Sequence, residues 1–376
     1  MATRGAGVLV REFISEALCG PAGYFARATP VIEAATPLPF REFRGEADYQ
    51  RAVAARYEAA AGAAAAAPGF FLTPCEIFAP WYSYAVARWA VARHRVDRAR
   101  AERRGVAPPP LRVAEFGVGT GAHALNFLDF VKARAPDAYA GAAYVAVDSS
   151  ADACDAFLER LAPHGAVAAA VVGDAAGEWA LPWGDDDAPV AIVALELLDN
   201  LPHDKVRWTA DGILEARVVD GAETFAPAAD RWVLDAAALA GDRGGGDEFL
   251  PTGALQFLAR IRERIKTPRL FLADFDALPR PTGRDAIARN APLVAAADRD
   301  LDSYLDATGD ADIFFATDFD LLRRAWARLG GGDAETPTST DFFRRDPLSS
   351  ETRTRGGYNP LLEDFLNTRV LLGVGD

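Results

Sequence analysis

A chain of 376 residues, half of them hydrophobic and a quarter charged, has ample material for a buried core and the profile of a soluble globular protein. Its net charge of −14 argues against a surface for nucleic acid or anionic membrane, because phosphate-rich partners need a basic footprint. A basic protein or peptide stays open as a partner, since an acidic rim would draw one in.

Residues 1–18 read as a helix carrying Glu12 and Glu16, a composition unlike an acid-poor transit peptide. Cys19, Cys75 and Cys154 are far apart, odd in number and outside CxxC spacing. A reducing compartment is therefore expected, with neither a disulfide framework nor a metal site. No apolar run approaches the ~20 residues that span a bilayer. Lys132, Lys205 and Lys266 are the only lysines, so the alanine run 59–67 and the arginine-rich stretch Arg93–Arg104 are read as a chain-wide bias; the latter could bind an acidic partner, and a solvated helix end leading into a linker is the plainer reading. The longest helix is predicted from Glu76 to Arg104, opening on Phe78, Trp81, Tyr82, Tyr84 and Trp89. Pro108, Pro109 and Pro110 then end the helical region and launch an extended segment.

Beyond that break, strand and helix alternate. Apolar runs at 111–116, 142–147, 166–172 and 190–195 are separated by helices at about 122–133 and 151–161. Strands apolar on both faces with helical crossovers imply a parallel sheet. Residues 206–208 and 214–219 read as antiparallel strands, and Gly244–Gly246 as a flexible loop. A helix at 253–264, a strand at 269–275, a helix at 320–329 and a strand at 368–372 complete the pattern.

Ligands in open parallel sheets bind beyond the carboxyl ends of the strands, and the informative residues fall there. Glu115 closes the first strand, and Gly117, Gly119 and Gly121 form the turn into the next helix, where a Cβ would block approach of a ligand to the backbone. Asp148 ends the second strand, where a carboxylate can accept both hydroxyls of a ribose; Asp174 follows the third and Glu196 ends the fourth. A relaxed dinucleotide fingerprint also fits Gly117-x-Gly119-x-x-Ala122. Glu115 and the third glycine favour S-adenosyl-L-methionine, whose cationic methionine end a carboxylate can face. The segment Glu196–His203 lies where a methyl acceptor would sit, and Glu196 with Asp199 could hold a guanidinium through charge-assisted bonds. The alternative for Asp199 is a helix cap with Pro202 in the first turn. His203 reads as a base near the acceptor or as an exposed loop histidine, and His123 is equally open.

These segments resemble the MidA-like (DUF185) family of class I methyltransferases, which includes the mitochondrial complex I assembly protein arginine methyltransferase. The resemblance runs over nearly the whole chain, through Ala17–Phe25, Phe71–Phe78, Val113–Gly121, Glu196–Pro202 and Gly309–Phe319. Asp274-Phe-Asp276 and the tail Gly357–Phe365 depart from it and resemble a divergent eukaryotic branch. The resemblance implies that Thr73, Pro74 and Glu76 lie near the cofactor; the alternative for them is a helix cap, with Thr73 or Pro74 preceding Glu76.

The expected fold is α/β, a Rossmann-like class I methyltransferase sheet with an N-terminal helical region and additional antiparallel strands. Residues 1–107 would form a helical lid and 108–376 the methyltransferase core, with an insertion around 205–250. The expected reaction is methyl transfer from S-adenosyl-L-methionine to a protein side chain, arginine by resemblance. A non-catalytic assembly factor and a small-molecule methyltransferase are the alternatives. The partners expected are a protein substrate and, in a homodimer, a second copy of the chain, with no nucleic acid and no membrane insertion. The resemblance implies a mitochondrial location, with the cytoplasm as the alternative.

Overall fold

The computed structural model describes residues 7–27, 31–33, 36–63, 71–183, 186–241, 243–296 and 299–374. The first six residues of the predicted N-terminal helix and the end of the alanine run lie outside them.

A seven-stranded sheet forms the centre. Its strands are β2 (Arg112–Phe116), β3 (Ala143–Asp148), β4 (Ala168–Val172), β5 (Val190–Leu195), β10 (Pro268–Phe275), β13 (Asp333–Glu335) and β14 (Thr368–Val374). They run in the order β13-β14-β10-β5-β2-β3-β4, with β10, β5, β2, β3 and β4 parallel and β14 antiparallel to β10. The chain leaves β2 towards β3 and β4, then returns to the other side of β2 as β5. That reversal makes a switch point between β2 and β5, where such sheets bind ligands.

Period-two alternation divides the strands between two cores. Val113, Ala191, Val193 and Phe271 face the helices Trp81–Arg103 and Ala122–Arg134. Ala114, Phe116, Ile192 and Leu270 face Phe257 of the helix Thr252–Arg264 and Trp326 of the helix Phe319–Arg328. Burial of a side chain such as Phe271, fully enclosed, contributes roughly 1.5–3 kcal/mol. β4 was expected to be buried. It is the edge strand instead, with Val172 exposed.

A second sheet packs β1 (Val8–Leu9), β6 (Asp204–Thr209), β7 (Gly212–Val219), β8 (Ala222–Pro227) and β9 (Gly246–Leu250), all antiparallel, in the order β1-β7-β6-β9 with β8 on β7. β11 (Leu293–Ala296) and β12 (Ala311–Phe314) form a hairpin pair. The predicted insertion is thus strand-rich, and Gly246 opens a strand.

The segment before residue 108 contributes to the first of these cores and to a third apolar cluster against the second sheet. Val8–Leu9 is a strand, because it pairs with Val218 and Arg217, and the N-terminal helix begins only at Val10. That helix buries Val10, Ile14 and Leu18 against Ala216, Val218 and Ile313. The helix Trp81–Arg103 instead packs on the parallel sheet. The single helix expected from Glu76 is broken into Pro74–Ile77 and Trp81–Arg103. Pro80, without an N–H to donate, interrupts the hydrogen-bond ladder there. Among the described residues no helix is long and apolar enough to cross a membrane.

Candidate active site

A cavity of about 560 Å³ opens beyond the carboxyl ends of β2, β3 and β5, a size typical of small-molecule sites. Thr73, Glu115, Gly117, Gly119, Asp148, Asp174 and Glu196 all line it. Five strand ends or turns far apart in sequence therefore converge on one space.

Strand parity puts Glu115 on the face of β2 shared with Val113, looking towards Tyr144 of β3. The Tyr144 hydroxyl donates to Glu115 Oε2 at 2.8 Å. Burial pushes the Glu115 acid up to about 8, with the Tyr144 bond opposing the rise and Asp148 adding to it. An ammonium group arriving beside it would restore the carboxylate.

The glycine turn is held by its backbone. Gly117 N–H donates to Val147 O at 3.0 Å, and Val118 N–H donates to Asp148 Oδ2 at 3.0 Å. Gly119 has φ +51, and a Cβ there would meet only Val31, at 3.9 Å, so the missing side chain leaves a cradle in the cavity wall. Gly121 does not line the cavity. At φ +75 it turns the chain into the helix Ala122–Arg134, with its Cβ position against Phe157, Arg160 and Leu161. Glu76 also lies behind the wall. It is buried and accepts the Thr120 hydroxyl, so it fixes the glycine turn from outside. Thr73 holds the cap position of Pro74–Ile77, yet its side chain makes no capping bond.

Asp148 Oδ1 also accepts from Ser150 N–H at 2.9 Å. Asp174 is exposed at the cavity rim, with Oδ1 accepting from Ala176 N–H at 3.0 Å.

Glu196 leaves β5 with φ +53, a left-handed conformation that is uncommon for a residue with a side chain. Burial and the neighbouring Asp274 carboxylate hold its acid well above the usual range. The next turn is tied down by Asp274, whose Oδ2 accepts from Leu198 N–H at 2.7 Å and Asp199 N–H at 3.1 Å. Asp199 itself is buried, does not line the cavity, and has one carboxylate oxygen without a partner. No helix follows it, so it caps none; the chain continues into β6.

His203, expected in an exposed loop or beside the acceptor, is in neither place. It is fully buried, stacks on Phe315 at 3.9 Å between centroids, and donates from Nδ1 to Leu201 O at 2.9 Å. Burial lowers its pKa to about 3. It is a neutral core histidine behind the cavity wall.

Two contributions escaped the sequence reading, and one open residue is placed. The N-terminal helix turns Arg11, Ser15 and Cys19, spaced four apart, towards the cavity. Arg11 bonds Asp204 at 2.6 Å and Asp230 at 2.7 Å. Asn200 lines the cavity and donates to Asp312 Oδ1 at 2.8 Å. His123, left open by the sequence, is a buried lining residue.

Residues 85–337 match the model of Methyltransf_28, a family of S-adenosyl-L-methionine-dependent methyltransferases. The chain belongs to that family. Among solved structures, it resembles a COG1565 superfamily protein from Burkholderia thailandensis bound to S-adenosylhomocysteine. The identity is 18%, the TM-score 0.63, and the coverage 99% of this chain and 89% of that one. The native crystal structure of an uncharacterized COG1565 superfamily protein from the same organism gives 17% identity, TM-score 0.59 and coverage of 99% and 88%. At such identities the likeness concerns the fold. No curated protein matches the sequence significantly.

For a Methyltransf_28 member the cofactor is S-adenosyl-L-methionine, and the residues fit it. The Gly119 cradle would admit it against the backbone, and Asp148 and Glu115, both on the cavity wall, are the carboxylates that would meet its ribose hydroxyls and the ammonium of its methionine end.

Proposed function

We propose that this methyltransferase modifies a cationic nitrogen, the guanidinium of a protein arginine, presented at Glu196. The observation that carries the reading is the charge of the cavity wall. Glu12, Glu16, Glu115, Asp148, Asp174 and Glu196 line it, while its one guanidinium among the described residues, Arg11, is already paired with Asp204 and Asp230. A cation entering this space meets acidic side chains that no other cation among the described lining residues offsets, and it favours the ionised form of those that burial keeps protonated.

S-adenosyl-L-methionine, when bound, supplies a methyl group on a sulfonium for in-line transfer, so the protein's task is mainly positioning and exclusion of water. Glu196 would orient the acceptor nitrogen and, once ionised by the approaching guanidinium, accept the proton it releases. Asp274 and the turn it anchors keep Glu196 in place. The proposed setting, mitochondrial assembly of respiratory complex I, is supported by the motif resemblance.

The test is incubation with methyl-labelled cofactor and mitochondrial extract, followed by hydrolysis and mass spectrometry. Label in methylarginine is expected. Label confined to small molecules would overturn the arginine reading in favour of a small-molecule acceptor. Cofactor binding without any transfer would favour an assembly factor.

A further inference from the structure

The methionine end of the cofactor is a zwitterion. Glu115 suits its ammonium, but the carboxylate has to be met by hydrogen-bond donors in a cavity lined by acids. Arg11, the one guanidinium on the wall among the described residues, is committed to Asp204 and Asp230. Among the described residues no lysine lines the wall.

We infer that His123 is the side chain that receives this carboxylate and thereby selects ligands carrying the amino-acid end. His123 is the second residue of the helix Ala122–Arg134, which starts from the glycine turn. It lines the cavity and is 3% exposed. Its Nδ1 lies 3.2 Å from the Ser83 hydroxyl, and its Nε2 has no partner. An orphaned buried polar atom of this kind costs free energy until something satisfies it. Desolvation lowers the pKa of the ring to about 3, so it is neutral. This role requires the tautomer in which Ser83 donates to Nδ1; the proton then sits on Nε2, which becomes an uncommitted donor. The first turn of a helix adds the positive end of the backbone dipole, which favours an anion at the same place. Tyr82 and Cys75 line the same cavity, so His123 belongs to the end bounded by the segment 73–83.

The proposal rests on the cofactor and not on the identity of the methyl acceptor. Its test compares two ligands by titration calorimetry: S-adenosylhomocysteine, which carries the amino-acid end, and 5′-methylthioadenosine, which lacks it. His123→Leu is expected to weaken the first by about ten- to hundredfold, the range for a hydrogen bond to a charged group, and to leave the second within about twofold. Ser83→Ala should show the same selectivity to a smaller extent, and His123→Gln, which keeps a donor, should recover part of the loss. Should His123→Leu fail to fold, the Ser83→Ala and His123→Gln pair carries the comparison. Equal weakening of both ligands, or unchanged affinity for S-adenosylhomocysteine, would overturn the proposal. Unchanged affinity with lost turnover would place His123 at the acceptor instead. Failure of the unaltered protein to bind either ligand would count against the cofactor assignment itself.

Discussion

Tyr144 on β3 donates its hydroxyl to Glu115 on β2 at 2.8 Å, beneath the glycine turn. Folding raises the Glu115 acid from about 4.5 to about 8. A carboxyl raised on folding stabilises the protein below its unfolded pKa and loses that contribution as pH rises through the folded value. The cofactor-free protein should therefore lose stability between about pH 4.5 and 8 at this site, and bound S-adenosylhomocysteine should flatten the dependence. Urea denaturation across that range, with and without ligand, reads this directly. Tyr144→Phe removes the bond that opposes the rise, so it should weaken cofactor binding below about pH 8 and progressively less as alkaline pH ionises Glu115.

Glu196→Gln should separate chemistry from cofactor binding. Turnover is expected to fall by at least about a hundredfold, the usual scale for losing a group that handles a proton, while S-adenosylhomocysteine affinity stays within about threefold. Because Glu196 titrates well above ordinary carboxylates, acceptor KM should fall as pH rises and ionises it. A pH-independent KM would count against its contact with a cation.

Asp274→Ala strips two buried N–H groups, those of Leu198 and Asp199, of their acceptor. At about 1–3 kcal/mol for each unsatisfied group, the loss should total roughly 2–6 kcal/mol in denaturant titration. Asp274→Asn keeps an acceptor oxygen and should lose less than half as much.

Gly119→Ala and Gly121→Ala should differ in kind. Both force a side chain into left-handed backbone, at a cost of about 1 kcal/mol. Only Gly119 leaves a cradle on the cavity side, so only its substitution should abolish cofactor binding. Calorimetry and a melting curve on both variants distinguish the two effects.

His203→Gln is expected to keep turnover within about threefold while lowering stability, since the ring packs on Phe315 and does not line the cavity. A pH profile that loses a limb on this substitution would restore His203 as a base.

The parallel strands were legible because runs such as Val190–Leu195 are apolar on both faces, and the acids that close them mark the switch point. Placement around Glu196 was not. A left-handed residue at the end of β5 redirects the chain, so Asp199 and His203, close in sequence, fall behind the wall. Nearness in sequence does not say which side of a turn a residue occupies. The N-terminal helix was legible as a helix, and the four-residue spacing of Arg11, Ser15 and Cys19 was there to read. Its role depended on partners nearly two hundred residues away, which no local pattern carries. The break at Pro80 and the short strand Val8–Leu9 were missed for opposite reasons: one is a single missing donor, the other owes its conformation wholly to β7.

The clasp of Arg11 on Asp204 spans 193 residues of chain, and on the ribosome that separation becomes time. At about 5–20 residues per second, the helix Val10–Cys19 emerges roughly 10–40 s before the strands that seat it. The wall of the cavity made earliest is thus among the last to be placed. Until β6 and β7 arrive, the nascent chain holds an amphipathic helix with nothing to cover Ile14 and Leu18. A chain stalled before residue 204 would display that apolar stripe to chaperones and could not yet form a closed methyl-transfer chamber.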